Sequence, residues 1–199
     1  MLLTDGYHDV PAGKLAAVVT YLEMRARPAS RAERGEVPWS WRRIATPPLD
    51  AYRGLYRRVG AEWLWSSRLQ LSDGALAAVL NDTRLEFHAL THAGRDEGLL
   101  ELDFRDPSEC ELAFFGLTPA LVGRGAGRWL MNRAIECAWS QPIERLWLHT
   151  CTLDSPAALE FYQRSGFTPY AIKVEVYDDP RITGVLPREA ARQVPIIER

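Results

Sequence analysis

The 199-residue sequence predicts an α/β (α+β) fold, a mixed and mostly antiparallel central sheet flanked by helices. Two observations lead to it. Apolar residues switch repeatedly between strand-like runs and the three-and-four spacing of a helix, and three consecutive strand segments are joined by connections too short for a crossover. A composition of 47% hydrophobic and 25% charged residues belongs to a chain that buries a core, so one domain is expected over residues 1–199.

Taken in order, KLAAVVTYLEM at residues 14–24 is a continuous apolar stretch with β-branched and aromatic members, which suits a strand buried on both faces. Residues 25–38, rich in Arg, Ala, Glu and Pro, read as a loop. SWRRIAT is a second short strand. Leu49, Tyr52, Leu55, Tyr56 and Val59 predict a helix over 48–59, with Gly60 as a left-handed cap. A second helical stretch is expected at 62–69, and Ser72 with Asp73 caps a third that ends at the Asn81-Asp82 turn. RLEFHALTH, GLLELDFRD and CELAFFGL are antiparallel neighbours. Over 124–139, Leu130, Met131, Ala134, Ile135, Ala138 and Trp139 share one helical stripe. RLWLHTC is a strand, and SPAALEFYQRSG is a helix with Ser155 as N-cap, Pro156 at the first position and Gly166 at the end. FTPYAIKVEVY closes the order as a strand.

The formal net charge of -2 supplies no field for nucleic acid or anionic lipid, so neither is expected as a partner. Cys110, Cys137 and Cys151 have neither disulfide nor metal-ligand spacing, which predicts reduced thiols and no metal. The opening MLLTDGYHDV has no basic leader region, and the apolar run at 15–22 is too short for a bilayer. A cytoplasmic location without membrane insertion is the resulting expectation.

The chemically informative segment is LTPALVGRGAGRWL, residues 117–130, where a strand ends and three glycines open an amphipathic helix. Glycines let successive amides turn toward one point, and with the helix dipole they make an anion site without a lysine. Arg128 stands where a dinucleotide-binding turn would need its third glycine, and no Gly-Lys-Ser/Thr follows for a nucleotide loop. A glycine turn that merely tightens the junction is the alternative.

Val122 to Gly127, VGRGAG, resembles the acyl-CoA motif Q/R-x-x-G-x-G/A of the GNAT superfamily of N-acyltransferases, with Val122 at the Gln or Arg position. SPAALEFYQRSGF resembles the same family's second signature, N-x-x-A-x-x-L/F-Y-x-x-x-G-F/Y, through Ala158, Phe161, Tyr162, Gly166 and Phe167, with Ser155 at the Asn position. The resemblance implies a GNAT-like sheet, an acceptor-side part at about 1–83, an acyl-CoA-binding core at about 84–178 and a C-terminal extension at about 179–199. It implies acetyl-CoA or another acyl-CoA as co-substrate, and as acceptor a small-molecule amine or a protein amino group; a homodimer is compatible with it. An acyl-CoA-binding sensor without turnover is the alternative of another class.

The resemblance also implies roles. Tyr162 is the proton donor to the leaving thiolate, where periodicity alone reads a core aromatic. For the base, Glu109 and Glu111 share one strand face and His149 lies on the strand between the motifs; Glu111 is preferred, with a solvated carboxylate and a core histidine as the open alternatives. Phe115, Gly116 and Leu117 supply backbone donors for the thioester oxygen and the pantetheine, with a bulge at Gly116. Gly123, Arg124, Gly125, Ala126, Gly127 and Arg128 hold the pyrophosphate, and Ser155 faces the pantetheine arm. Trp63, Trp65, Tyr52 and Tyr56 are either acceptor pocket or core, and the 25–38 loop is expected to be mobile beside the acceptor entrance.

Overall fold

The computed structural model describes residues 3–33 and 38–198. Its elements are β1 (Lys14–Met24), β2 (Trp39–Arg43), α1 (Leu49–Gly60), α2 (Asp73–Leu80), β3 (Leu85–His92), β4 (Arg95–Asp103), β5 (Glu109–Leu117), α3 (Ala126–Ala138), β6 (Arg145–Cys151), α4 (Ala158–Arg164) and β7 (Thr168–Asp178). They build one seven-stranded sheet in the order β2-β3-β4-β5-β6-β1-β7, antiparallel at every pairing except β5 with β6.

Two apolar layers cover the sheet. Leu90, Leu100, Leu102 and Leu112 point to α3, whose Leu130, Met131 and Ala134 close that side. Phe87, Ala89 and Leu99 point the other way, onto Tyr52, Tyr56 and Val59 of α1 and Leu76 and Leu80 of α2. Alternation along each strand is thus the physical origin of the two layers.

Outside the site itself, the structure departs from the sequence reading in five places. β1 is an interior strand but is covered on one face along its first half: Leu15, Ala17 and Val19 are buried while Ala16 and Val18 are exposed, because no helix lies over them. Gly60 is not left-handed; its φ is -107, and glycine is needed because a Cβ would fall 2.5 Å from that of Trp65. The helix expected at 62–69 shrinks to one 3₁₀ turn, Ala61–Trp63, since Leu64 adopts φ 58 and Trp65 returns its amide to the Gly60 carbonyl. Ser155 is not the N-cap of α4; it sits in a preceding turn, its Oγ accepting from the Ala157 amide at 3.4 Å.

The fifth concerns the 25–38 segment, of which residues 34–37 lie outside the described residues. The rest is tied along α3. Asn132 accepts from the Arg31 amide at 3.3 Å and donates to the Arg31 carbonyl and to Glu33, Arg133 pairs with Glu33 at 2.7 Å, and Arg128 donates to the Ala32 carbonyl at 3.1 Å. Composition hid this because the packing is polar and long-range. At the other end, residues 179–198 pack over the start of β1 and the end of β7: Leu186 and Ala191 join Leu15, Leu64 and Tyr177, and the buried Asp179–Arg181 pair turns the guanidinium onto the Ala191 and Val194 carbonyls.

Candidate active site

β5 and β6 stay together for three residues only, Glu109 with Arg145, Cys110 with Leu146 and Glu111 with Trp147. Beyond them β5 continues against β4 alone and β6 against β1, so the sheet forks. A bulge marks the fork: Glu101 pairs with Phe114 and Leu102 with Leu112, which leaves Ala113 as the extra residue. The bulge expected at Gly116 is absent, and the ladder there is continuous. Glycine stands at 116 because a Cβ would meet Val59 Cγ1 at 2.4 Å and Trp65 Cη2 at 3.1 Å, so its absence lets α1 and Trp65 lie directly on β5.

Glu111 occupies the base of the fork, with Oε1 3.7 Å from His149 Nε2 on the facing strand. Burial, and then the Asp103 carboxylate, raise the Glu111 carboxyl to about 7. Burial lowers the His149 imidazole, with Lys173 acting the same way and Asp154 and Glu175 opposing. Glu109, two residues earlier, is instead engaged by the Arg145 guanidinium at 3.1 and 3.2 Å. Glu111 is therefore held near the midpoint of its titration at neutral pH.

The opposite side of the fork gathers Phe115, Phe161 and Tyr162. Phe115 stacks on Phe161 at 5.7 Å and meets the Tyr162 ring edge-on at 6.3 Å. Burial, then the Asp154 charge, push the Tyr162 phenol upward, so it keeps its proton throughout the physiological range. Gly127 of α3 joins this cluster, since a Cβ there would stand 3.7 Å from both Leu117 Cδ1 and Phe161 Cε2. The end of β5, the start of α3 and the middle of α4 thus converge.

α3 begins on Gly125 at φ 90, preceded by Gly123 at φ 78, both in the left-handed region where a side chain is strained. Trp129 donates the first helical bond, to the Gly125 carbonyl at 3.1 Å, and no side chain caps this end. The amides of Ala126, Gly127 and Arg128 are left pointing outward with the positive end of the helix dipole.

The sequence-predicted residues thus fall into groups. Phe115, Leu117, Gly127 and Tyr162 meet around Phe161, and Glu111 meets His149. Gly116 faces α1, the Arg128 guanidinium faces Ala32, and Ser155 stays in its turn. Tyr52 and Tyr56 are core, 4% and 0% exposed, and Tyr52 donates to the buried Glu101. Sequence reasoning missed Asp154. Its carboxylate accepts from Thr150 Oγ1 at 2.7 Å, the Cys151 amide at 3.0 Å and Trp65 Nε1 at 3.1 Å, so it fixes the end of β6 and ties Trp65 to the fork. Its position just before Ser155 is the only local signal it carries.

Comparisons with known proteins agree with this geometry. The profile of the Acetyltransferase (GNAT) family matches residues 48–167. A stretch of 89 residues is 32% identical to the mycothiol acetyltransferase of Beutenbergia cavernae, covering 43% of this chain and 30% of that relative's length. Among solved structures, a GCN5-related N-acetyltransferase from Sphaerobacter thermophilus superposes with a TM-score of 0.57 at 14% identity, over 87% of this chain and 53% of that one. An aminoglycoside acetyltransferase from an uncultured soil metagenomic sample gives 0.54 at 16% identity, over 65% of this chain and 88% of that one. With the profile spanning more than half of the chain, and the glycine-opened helix, forked strands and tyrosine-bearing helix all in its frame, the protein belongs to the GNAT acetyltransferase family.

Proposed function

We propose that the chain transfers an acetyl group from acetyl-CoA to a primary amine, of a small molecule or of a protein, by direct attack of nitrogen on the thioester carbon. The observation that carries this reading is the fork itself. It holds a carboxyl poised near pH 7 on one side and a protonated phenol on the other, beside a strand edge and an uncapped helix start.

An amine with a pKa of about 10.4 is mostly protonated at neutral pH, so it must lose a proton to attack. Glu111 takes that proton, directly or through a water, with His149 beside it holding the carboxylate's orientation. As the C–N bond forms, negative charge grows on the thioester oxygen, and the amides of residues 115–117 on the open edge of β5 receive it. The C–S bond then breaks, Tyr162 supplies the proton that the departing thiolate collects, and the second proton shed by the attacking nitrogen restores the tyrosine through water. The pyrophosphate of the co-substrate lies against the amides of residues 123–128, and Ser155 borders the pantetheine. No metal enters this chemistry.

The test is release of free thiol from acetyl-CoA in the presence of a panel of amines, read with a thiol reagent. Amine-dependent, saturable release supports the reading. Saturable binding of acetyl-CoA with no release across the panel replaces it with an acyl-CoA sensor on the same fold.

A further inference from the structure

At the far end of α3 lies a second cluster of reactive side chains. Glu86 and His88 stand two apart on β3, hence on one face, and Cys137 reaches them from the last turn of α3. By the helical rise of about 1.5 Å per residue, Cys137 is roughly 16 Å along the helix from Ala126, well away from the glycine-opened end. Glu86 Oε2 is 3.1 Å from His88 Nε2 and 3.2 Å from Cys137 Sγ, and Sγ is 4.0 Å from Nε2.

We propose that Glu86, His88 and Cys137 form a binding site for a divalent transition metal of zinc's chemistry, separate from the acyl-transfer site. Carboxylate oxygen, imidazole nitrogen and thiolate sulfur are zinc's own ligand types. A tetrahedral ion with bonds of about 2.0–2.3 Å holds such donors roughly 3.3–3.6 Å apart, so this triangle needs only small side-chain adjustments to accept one. The surroundings orient each donor. Arg43 Nη1 occupies the other carboxylate oxygen of Glu86 at 2.9 Å and leaves Oε2 facing the cluster. Trp41 stacks on the His88 ring at 4.5 Å and fixes its plane. His88 is 4% exposed and its Nδ1 is buried with no partner among the described residues; without an ion its Nε2 is engaged by Glu86 Oε2 at 3.1 Å, the contact that a metal between the two would replace. Glu86 also borders a surface pocket of about 330 Å³, lined by Arg84, Phe104, Pro107 and Ile143 among others, which gives an ion and a water as fourth ligand their way in.

Coordination displaces the thiol proton of Cys137 to solvent and moves the imidazole proton of His88 to Nδ1, with no change in oxidation state. The experiment is titration of chelator-treated, folded protein with Co²⁺ alone, then with Zn²⁺. The expected result is uptake of about one Co²⁺ per chain with near-ultraviolet thiolate-to-metal absorption, bleached when Zn²⁺ displaces it. Cys137→Ser should remove the band, and Cys151→Ser should keep it. Glu86→Gln, which preserves size, should weaken uptake at least about tenfold. A wild-type protein without the band overturns the site, as does a band that survives Cys137→Ser or an affinity unchanged in Glu86→Gln.

Discussion

At the scale of single residues, the two ionisable groups of the fork are given opposite tasks in the proposed reaction, and their surroundings separate them. Glu111 is half-buried with Asp103 nearby, and the partial desolvation, then that neighbouring charge, raise its carboxyl to about 7. As the base it acts only when deprotonated, so kcat/KM should rise with pH through about 7. Glu111→Gln should lose that inflection and most of the activity, read from a pH–rate profile. The same shift affects folding. A carboxyl of ordinary value 4.5 that sits near 7 in the folded state binds its proton more tightly there than in the unfolded chain. Its contribution to stability therefore declines as pH climbs from about 4.5 to about 7, and Glu111→Gln should flatten that part of a urea-midpoint curve. Tyr162 is the complementary case. Its hydroxyl has no hydrogen-bond partner among the described residues, so Tyr162→Phe keeps the ring packing on Phe115, Phe161 and Phe167. Turnover should fall by roughly a hundredfold to ten-thousandfold, with acetyl-CoA affinity and melting temperature nearly unchanged. Near-normal turnover would make Tyr162 a packing residue.

Among elements, α3 shows how one helix joins two chemistries and what each of its glycines is for. Gly125 is there for its backbone, at φ 90, with open space around it. Gly127 is helical, and a Cβ would rest at ordinary contact distance on Leu117 and Phe161. Gly127→Ala should therefore leave the fold intact and raise its stability by up to about 1 kcal/mol, as alanine does in a helix. Loss of acetyl-CoA affinity in that variant, measured by calorimetry beside a denaturant melt, assigns the missing Cβ space to the ligand. Unchanged affinity would move the pyrophosphate away from this turn. Asn132 and Arg133, one helical turn further on, hold Arg31 and Glu33, so the same helix that is proposed to receive the co-substrate also anchors the connection out of β1.

Across the whole molecule, what was legible in the sequence was whatever local spacing encodes. The strand and helix order, the Ser72 cap, the glycine-opened α3 and the Tyr162 helix all depend on residues within a few positions of one another. What was not legible depends on pairings over long stretches of chain. Gly116 signalled a special backbone site, but only the arrival of Val59 and Trp65 from α1 explains it. Asp154 gains its meaning from Trp65, 89 residues away, and the Glu86–His88–Cys137 cluster spans 51. The place of β1 is the largest instance. A first strand lying between the sixth and the seventh leaves no periodic trace, because Val18 bonds to Thr152 across 134 residues and Lys14 to Asp178 across 164.

That placement also governs the order in which the protein can be completed during translation. Residues 14–24 leave the ribosome well before both strands that flank them, at 145–151 and 168–178. At about 5–20 residues per second, β1 waits roughly 7–26 s for the first of its partners, an apolar segment without a sheet. Such distant closure is slow as well as late. Nascent chains stalled with residue 140 just outside the exit tunnel should be cut by trypsin at Lys14 and Arg25, whereas chains stalled with residue 199 outside should resist at Lys14, which then lies in its ladder and ion pair with Asp178. Equal cleavage of the two would mean that β1 finds shelter elsewhere. During those seconds this half-made sheet is a client for whatever binds extended apolar chain at the tunnel mouth.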